Sequence, residues 1–283
     1  MAENRSVCIV TDSTSDIPGD IVADLGITVV PLSVAIGGET FFDGDISIEE
    51  FFRRMKASKE LPKTSQPSVG AFEESFRACL ERCSEVVCVT ISNRLSGTFE
   101  SATEAARSFG DRVHVLDTLN LSWAEGYQVV QTARAAARGA TVPELKARFD
   151  DLRGRVHMVV GLDSLENLAK GGRIGKVSAM LGGLLNLKVL LTVDADGSFI
   201  PVARIRGTKD ALRASIEWIA GHIDEKKPAH FAVQHAMSQE NANWLEAAIR
   251  ERFTVGELLL VPAGAVISAH TGTGWGLTVA QHD

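Results

Sequence analysis

Residues 86–91 read Val-Val-Cys-Val-Thr-Ile, and this β-branched run gives way to the polar segment Ser92-Asn93-Arg94-Leu95-Ser96-Gly97-Thr98 and then to helix formers over 100–107. A short, nearly unbroken apolar run of this kind is a buried strand, and a strand that passes through a polar loop into a helix is the unit from which parallel sheets are built. The pattern recurs at 7–10, ahead of Thr11-Asp12-Ser13-Thr14-Ser15-Asp16, and at 113–116, ahead of Asp117-Thr118. The first half is therefore expected to be an α/β domain, residues 1–154, with a mostly parallel sheet flanked by helices. A second α/β domain, residues 155–283, is expected to begin with the strand-like run at 156–163.

Loops at the carboxyl ends of parallel strands are where α/β sheets present ligand-binding groups. At 96–98 the hydroxyls of Ser96 and Thr98 flank Gly97 just where a helix begins, so unpaired backbone N–H groups and the positive end of the helix dipole favour an anion. Capping of the helix by Ser96 or Thr98 themselves is the plainer alternative. Lys63-Thr64-Ser65-Gln66-Pro67-Ser68 repeats the arrangement, with Ser68 as the cap of a helix over 69–82 and Thr64 and Ser65 just ahead of it. Two hydroxyl loops of this kind can close on one anion. The 11–16 segment reads either as a third ligand loop or as a turn with Asp16 as a helix start before Pro18.

Between these loops, 27–34 reads as one strand, followed by a hairpin through Gly37-Gly38 to 39–42 and by a helix capped by Ser47. Asp43 and Asp45 begin like a calcium loop, but the later ligand positions are missing, which leaves a turn. In the second half, Gly171-Gly172-Arg173-Ile174-Gly175-Lys176 is a basic, glycine-broken elbow whose spacing fits neither phosphate-binding motif. It leads into an apolar helix over 177–187 with small residues at Ala179, Gly182 and Gly183. A hairpin at 188–193 and 199–205 follows, then a helix capped by Thr208, a strand at 231–235, a helix at 239–253 and a strand at 257–261. His270 opens a closing glycine-rich loop.

The 283 residues carry a net charge of −7, which argues against nucleic acid as the main partner. No apolar run approaches the roughly 20 residues needed to span a bilayer, and the N-terminus lacks the pattern of a secretory signal, so the expected location is the cytoplasm. Cys8, Cys79, Cys83 and Cys88 fit that compartment as unpaired thiols of the core, without the companions of a zinc set. No metal or cofactor is implied.

Taken in order, the 11–16 loop, Thr64-Ser65-Gln66-Pro67, Ser96-Gly97-Thr98, Gly172-Arg173-Ile174 and His270-Thr271-Gly272 resemble the motifs of the DegV family of bacterial fatty-acid-binding proteins. The likeness spans about residues 7–280. It implies two α/β domains with a ligand tunnel between them, a long-chain fatty acid whose tail is buried, and a carboxylate bound by Thr64, Ser96, Gly97 and His270. Ser13, Ser65 and Thr98 are secondary candidates. It also implies a non-catalytic carrier that meets the membrane surface transiently and presents its cargo to a fatty acid kinase, which makes acyl phosphate for phospholipid synthesis. Arg173, Lys176 and Arg204 are the candidates for kinase docking. Two positions depart from the family pattern: Thr273 stands where proline is usual in the last loop, and Val189 where proline usually follows the lysine.

The physics agrees with that implication. A buried carboxylate needs hydrogen bonds, each charge-assisted one contributing about 1.5–3 kcal/mol, and an acyl chain gains about 0.8 kcal/mol per buried CH₂. The rival reading is a hydrolase with a Ser or Thr nucleophile, His270 as base and Asp12 or Asp117 as orienting carboxylate, acting on an ester or phosphate. No Gly-x-Ser-x-Gly elbow supports it.

Overall fold

The computed structural model describes residues 6–180 and 187–281. In chain order the strands and α-helices are β1 (Val7–Asp12), α1 (Gly19–Leu25), β2 (Thr28–Val30), β3 (Ser33–Ile36), β4 (Glu39–Phe42), α2 (Ile48–Ala57), β5 (Lys63–Ser65), α3 (Val69–Leu80), β6 (Glu85–Thr90), α4 (Thr98–Ala106), β7 (Val113–Asp117), α5 (Ser122–Ala137) and α6 (Val142–Arg155). They continue with β8 (Val156–Leu162), α7 (Glu166–Lys170), β9 (Leu187–Val193), β10 (Phe199–Arg206), α8 (Thr208–Ala220), β11 (Ala229–Ala236), α9 (Gln239–Arg252), β12 (Val255–Pro262), α10 (Ala265–Thr271) and β13 (Gly274–Ala280). The chain divides into two compact units, one of residues up to Ser33 with Ser65–Gly154, the other of Val34–Thr64 with residues from Arg155 onward. Residues 34–64 therefore go with the C-terminal half, although the chain order alone assigns them to the first domain.

The first unit is the expected α/β layer structure. Its sheet runs β2-β1-β6-β7 and every pairing is parallel. β1 is buried along its whole length because it sits inside the sheet with helices on both faces, which explains the unbroken apolar run. Phe72 and Phe76 of α3 and Ala102 and Ala105 of α4 pack one face with Val10, Val30, Val86 and Cys88. α5 lies against β1 and touches α1.

The predicted strand at 27–34 is two strands. Pro31 has no N–H for the ladder, so pairing with β1 ends at Val30, and the chain starts a new strand at Ser33. That strand belongs to a small sheet of order β4-β3-β5, and Gly37 and Gly38 both adopt the positive φ that a tight hairpin requires. The hydroxyl segment at Thr64 and Ser65, expected as a loop, is the short strand β5.

The second unit holds a six-stranded sheet of order β10-β9-β8-β13-β11-β12, antiparallel except for the parallel pair β11–β12. Leu212, Ile216 and Ile219 of α8 and Leu245 and Ile249 of α9 pack with Leu190, Phe231, Trp275 and Leu277 of the strands. Of the apolar helix expected over 177–187, Gly175–Met180 forms a 3-10 turn and Leu187 already belongs to β9. Gly182 and Gly183 lie outside the described residues.

The cysteines differ from expectation. Cys8 of β1 and Cys83, just beyond α3, form a disulfide across 75 residues of sequence, with Cα atoms 5.8 Å apart, a separation a disulfide spans readily. Cys79 and Cys88 are buried free thiols. Such a pairing depends on how α3 returns to the sheet, which the spacing of the four cysteines does not reveal. Among the described residues no group of His, Cys, Asp and Glu is arranged to hold a metal ion, and no helix is long and apolar enough to cross a membrane.

Candidate functional site

In the first unit, parallel pairing brings the carboxyl ends of β1, β6 and β7 to one edge of the sheet. The loop at 92–98 is held there from both sides. From β1, Asp12 Oδ2 accepts the N–H of Ile91 at 3.0 Å; from β7, Asp117 Oδ2 accepts the N–H of Asn93 at 3.2 Å and its Oδ1 that of Leu119 at 2.8 Å. Ser92 N–H donates to the Asn120 carbonyl at 2.8 Å. Burial raises the pKa of Asp117 despite these hydrogen bonds.

Neither Ser96 nor Thr98 caps α4. The cap residue is Gly97, which has no side chain to offer, and the two hydroxyls hydrogen-bond each other at 2.9 Å. The helix thus starts without side-chain satisfaction of its first amides, and the hydroxyl pair keeps a proton that it can donate outward. Gln66 lies over this start: its Nε2 donates to Ser101 Oγ at 2.8 Å, and a Cβ on Gly97 would meet its Oε1 at 2.2 Å. Ser13 Oγ accepts the Leu32 N–H at 3.1 Å, and Ser65 is exposed. By contrast Ser47 and Ser68 cap α2 and α3 as expected, accepting from Glu50 and Ala71 at 3.2 Å and 3.1 Å. Thr208 does not cap α8; Gly207 occupies that position.

In the second unit Thr64 and His270 meet. Thr64 Oγ1 and His270 Nε2 are hydrogen-bonded at 2.7 Å. His270 belongs to the last turn of α10, not to a loop, and α10 is fixed at its other end by Asp43, whose Oδ1 accepts the Ala265 N–H at 2.9 Å. Asp43 thus has a role beyond the expected turn. The imidazole has room because Gly171 has no side chain: a Cβ there would lie 2.4 Å from His270 Nδ1 and 2.9 Å from the Asn167 carbonyl. His270 Nδ1 is buried and has no hydrogen-bond partner among the described residues. Burial, and then the neighbouring charge of Arg173, lower the His270 pKa to about 4, so the ring is neutral at pH 7. With Nδ1 unpartnered, the tautomer that carries its proton on Nε2 donates to Thr64 and frees the Thr64 hydroxyl proton for an acceptor.

This pair lines a cavity of about 760 Å³. Lys59, Lys63, Lys170 and Arg173 give its wall a positive character against the single acid Glu60, while Met55, Leu61 and Pro62 supply apolar surface. Arg173 Nη1 also donates to the Gly171 carbonyl at 2.7 Å, which holds it beside the imidazole. Lys176 and Arg204 are not among the lining residues; Lys176 pairs with Asp194 at 2.5 Å, and Arg204 stands exposed on the edge strand β10. Sequence reasoning singled out neither Gly171 as the space for the ring nor Lys59, Lys63 and Asn167, since only the fold shows what surrounds His270.

Asp163 holds one of the two positions that depart from the family pattern, Thr273, and the lysine that precedes the other, Val189. Its Oδ2 accepts from the Thr273 hydroxyl at 2.8 Å and its Oδ1 from Lys188 Nζ at 2.6 Å. A hydrogen bond to the residue just beyond β8 thus anchors the last loop at the position where the family usually has proline.

A parallel four-stranded unit with helices on both faces, and a six-stranded unit whose Thr–His pair lines a basic cavity, define an α/β protein of two units. The sequence model of the DegV family, described as a family of uncharacterised proteins, matches residues 6–282. The chain belongs to the DegV family. A DegV domain-containing protein of Deinococcus radiodurans is 36% identical over 276 residues, covering 95% of this chain and 96% of its own. Among solved structures, a DegV family protein from Thermus thermophilus, described for its fatty acid binding, superposes with a TM-score of 0.93 at 33% identity, covering 98% of this chain and 100% of its own. DegV of Bacillus subtilis, described as a fatty acid binding protein, gives 0.88 at 27% identity with the same coverages.

Proposed function

We propose that this protein binds a long-chain fatty acid, buries its acyl chain and holds its carboxylate by hydrogen bonds from Thr64 and His270. The observation that carries this reading is the Thr64–His270 pair on the wall of a cavity lined by lysines and an arginine, in a family of which the Thermus thermophilus and Bacillus subtilis members are described as fatty acid binding. A neutral imidazole and a hydroxyl suit a carboxylate because together they donate without adding a second buried charge. Ser96 and Gly97, at a helix start without a side-chain cap, are proposed as further carboxylate donors, with Thr98 supporting Ser96 through their shared hydrogen bond. Ser65 and Ser13 are weaker candidates, the latter because its oxygen already serves Leu32.

The same reading makes the protein a carrier without catalysis or cofactor of its own. It takes a fatty acid from a membrane surface during transient contact, works in the cytoplasm, and presents the carboxylate to a fatty acid kinase that forms acyl phosphate for phospholipid synthesis. Arg173, beside His270, together with Lys176 and Arg204, is the proposed docking set. The hydrolase alternative finds no support in the geometry. A triad needs a carboxylate on His270 Nδ1, which has no partner among the described residues, and a pKa of about 4 makes the ring a poor general base at neutral pH.

Mass spectrometry of lipid extracted from the purified protein tests the binding claim. A co-purified acyl chain, or uptake of added fatty acid, is expected; empty protein that takes up none would overturn it. The kinase claim is tested separately with Arg204→Ala, at a docking candidate that does not line the cavity; fatty acid binding is expected to stay intact while phosphorylation of the bound acid by a fatty acid kinase slows. Equal phosphorylation of wild type and variant would remove Arg204 from the docking set.

A further inference from the structure

Two carboxyl groups lie together in the interior of the first unit with no cation paired to either among the described residues. Asp12, at the end of β1, and Glu125, in the first turn of α5, both have no solvent exposure. The hydroxyl of Thr14 contacts both: its Oγ1 is hydrogen-bonded to Asp12 Oδ1 and lies 3.1 Å from Glu125 Oε2. One hydroxyl carries one proton and can donate to only one of two carboxylates, so the second contact requires a proton on a carboxyl group. Asp12 is the better carboxylate, since it also accepts the N–H groups of Thr14 at 2.9 Å and Ile91 at 3.0 Å. Glu125 Oε1 is buried without a partner, a position a neutral acid tolerates far better than an ionised one.

We propose that Asp12 and Glu125 share one proton through the hydroxyl of Thr14, and that this proton positions the 92–98 loop by way of the Asp12–Ile91 hydrogen bond. The two are then positioning residues for the anion-donating groups at Ser96 and Gly97, a role that rests on the function proposed above. The arrangement is built in by backbone approach: a Cβ on Gly126 would lie 2.3 Å from the Ser15 carbonyl, so only glycine lets α5 come this close to the turn after β1. Around the pair, three non-glycine residues, Asp16, Leu119 and Ser122, hold positive φ, a costly backbone state that must be maintained by its surroundings. The other titratable groups facing the pair are Asp16, whose charge also opposes ionisation of Glu125 and whose Oδ2 accepts from Ser122 Oγ at 2.5 Å, and the buried thiol of Cys88 on β6. Burial is the largest influence raising the pKa of both carboxyls, and the charge of Asp12 adds to it for Glu125.

The test is amide hydrogen exchange at Ile91 and Ser92 in the ligand-free, full-length protein across a pH series, in wild type, Glu125→Gln and Glu125→Ala, with ¹³C NMR of labelled side-chain carboxyls. Wild type is expected to show a protonated Glu125 carboxyl at neutral pH and protection that falls once the pair ionises, approaching about tenfold per pH unit for one proton. Glu125→Gln, which keeps a neutral donor toward Thr14, should hold its protection flat through the same range, and Glu125→Ala should show reduced protection throughout. An ionised Glu125 at neutral pH, or protection with the same pH course in wild type and Glu125→Gln, overturns the proposal even if Glu125→Ala fails to fold. Binding of cis-parinaric acid, a fluorescent long-chain fatty acid, is measured on the same samples. If exchange behaves as expected while binding ignores pH and substitution, the shared proton stands and the role of Ser96 and Gly97 in fatty acid binding falls.

Discussion

Thr64 Oγ1 and His270 Nε2 lie 2.7 Å apart although 206 positions separate them in the chain. Thr64 reaches this place because residues 34–64 pack with the C-terminal half, and His270 because Asp43 fixes the start of α10. One segment therefore supplies one member of the pair and the anchor for the other.

Thr64→Val keeps the shape of the side chain and removes its hydroxyl. Loss of a hydrogen bond to a charged group costs about 1.5–3 kcal/mol, which corresponds to a drop in fatty acid affinity of roughly 10- to 100-fold. Titration calorimetry with a long-chain fatty acid should show this loss, whereas an unchanged affinity would remove Thr64 from the site.

Gly171→Ala places a methyl group against the imidazole and the Asn167 carbonyl. The backbone contact cannot give way cheaply, so a stability loss of about 1–3 kcal/mol is expected, together with displacement of His270 from Thr64. Urea unfolding and the ¹⁵N resonances of the His270 ring read the two effects. A variant as stable as wild type, with an unmoved ring signal, would contradict the packing described.

The depressed His270 pKa makes stability depend on pH in a defined direction. The unfolded chain takes up the proton first, near the ordinary value of 6.5, so the contribution of the neutral ring is complete above that pH and is lost as pH falls toward about 4. His157 and His235 are lowered by burial as well and act in the same sense. Asp12 and Glu125 act oppositely: their raised pKa values favour the folded state most below the ordinary carboxylate range and progressively less as pH rises. Urea midpoints for wild type and His270→Asn should therefore converge or cross as pH falls from 6.5 to about 4; parallel curves would show that His270 does not titrate as described.

The disulfide predicts that denatured, unreduced protein exposes two titratable thiols, those of Cys79 and Cys88. Reduction should lower stability by about 2–4 kcal/mol, the usual range for such a bond. Disulfides are rare in the reducing cytoplasm, so protein isolated under strictly anaerobic, reducing conditions that still exposes two thiols would argue against the proposed location. Four thiols in air-oxidised protein would contradict the pairing.

Much of the fold can be read directly along the chain, because it rests on local patterns. The runs at 7–10, 86–91 and 113–116 become the parallel strands β1, β6 and β7, Ser47 and Ser68 cap their helices, and Gly37-Gly38 turns the first hairpin. The parts that escape local reading depend on distant contacts. Pro31 divides an apparent strand because its neighbour in the sheet needs an N–H, Ser96 and Thr98 turn toward each other and leave Gly97 at the cap, and Cys8 finds Cys83 only after α3 has packed. Glu125 did leave a local sign, an acid inside a helix otherwise rich in small and apolar residues. Its meaning appears only when β1 brings Asp12 and Thr14 against it.

The most direct measurement is ¹³C NMR of a long-chain fatty acid labelled at its carboxyl carbon, bound to wild type, Thr64→Val and His270→Asn. A single slow-exchanging carboxylate resonance, displaced from its free position in wild type and moved back or broadened in both variants, is the predicted result. A carboxyl signal identical in all three proteins, or one indistinguishable from free fatty acid, would contradict the assignment of the head group to Thr64 and His270.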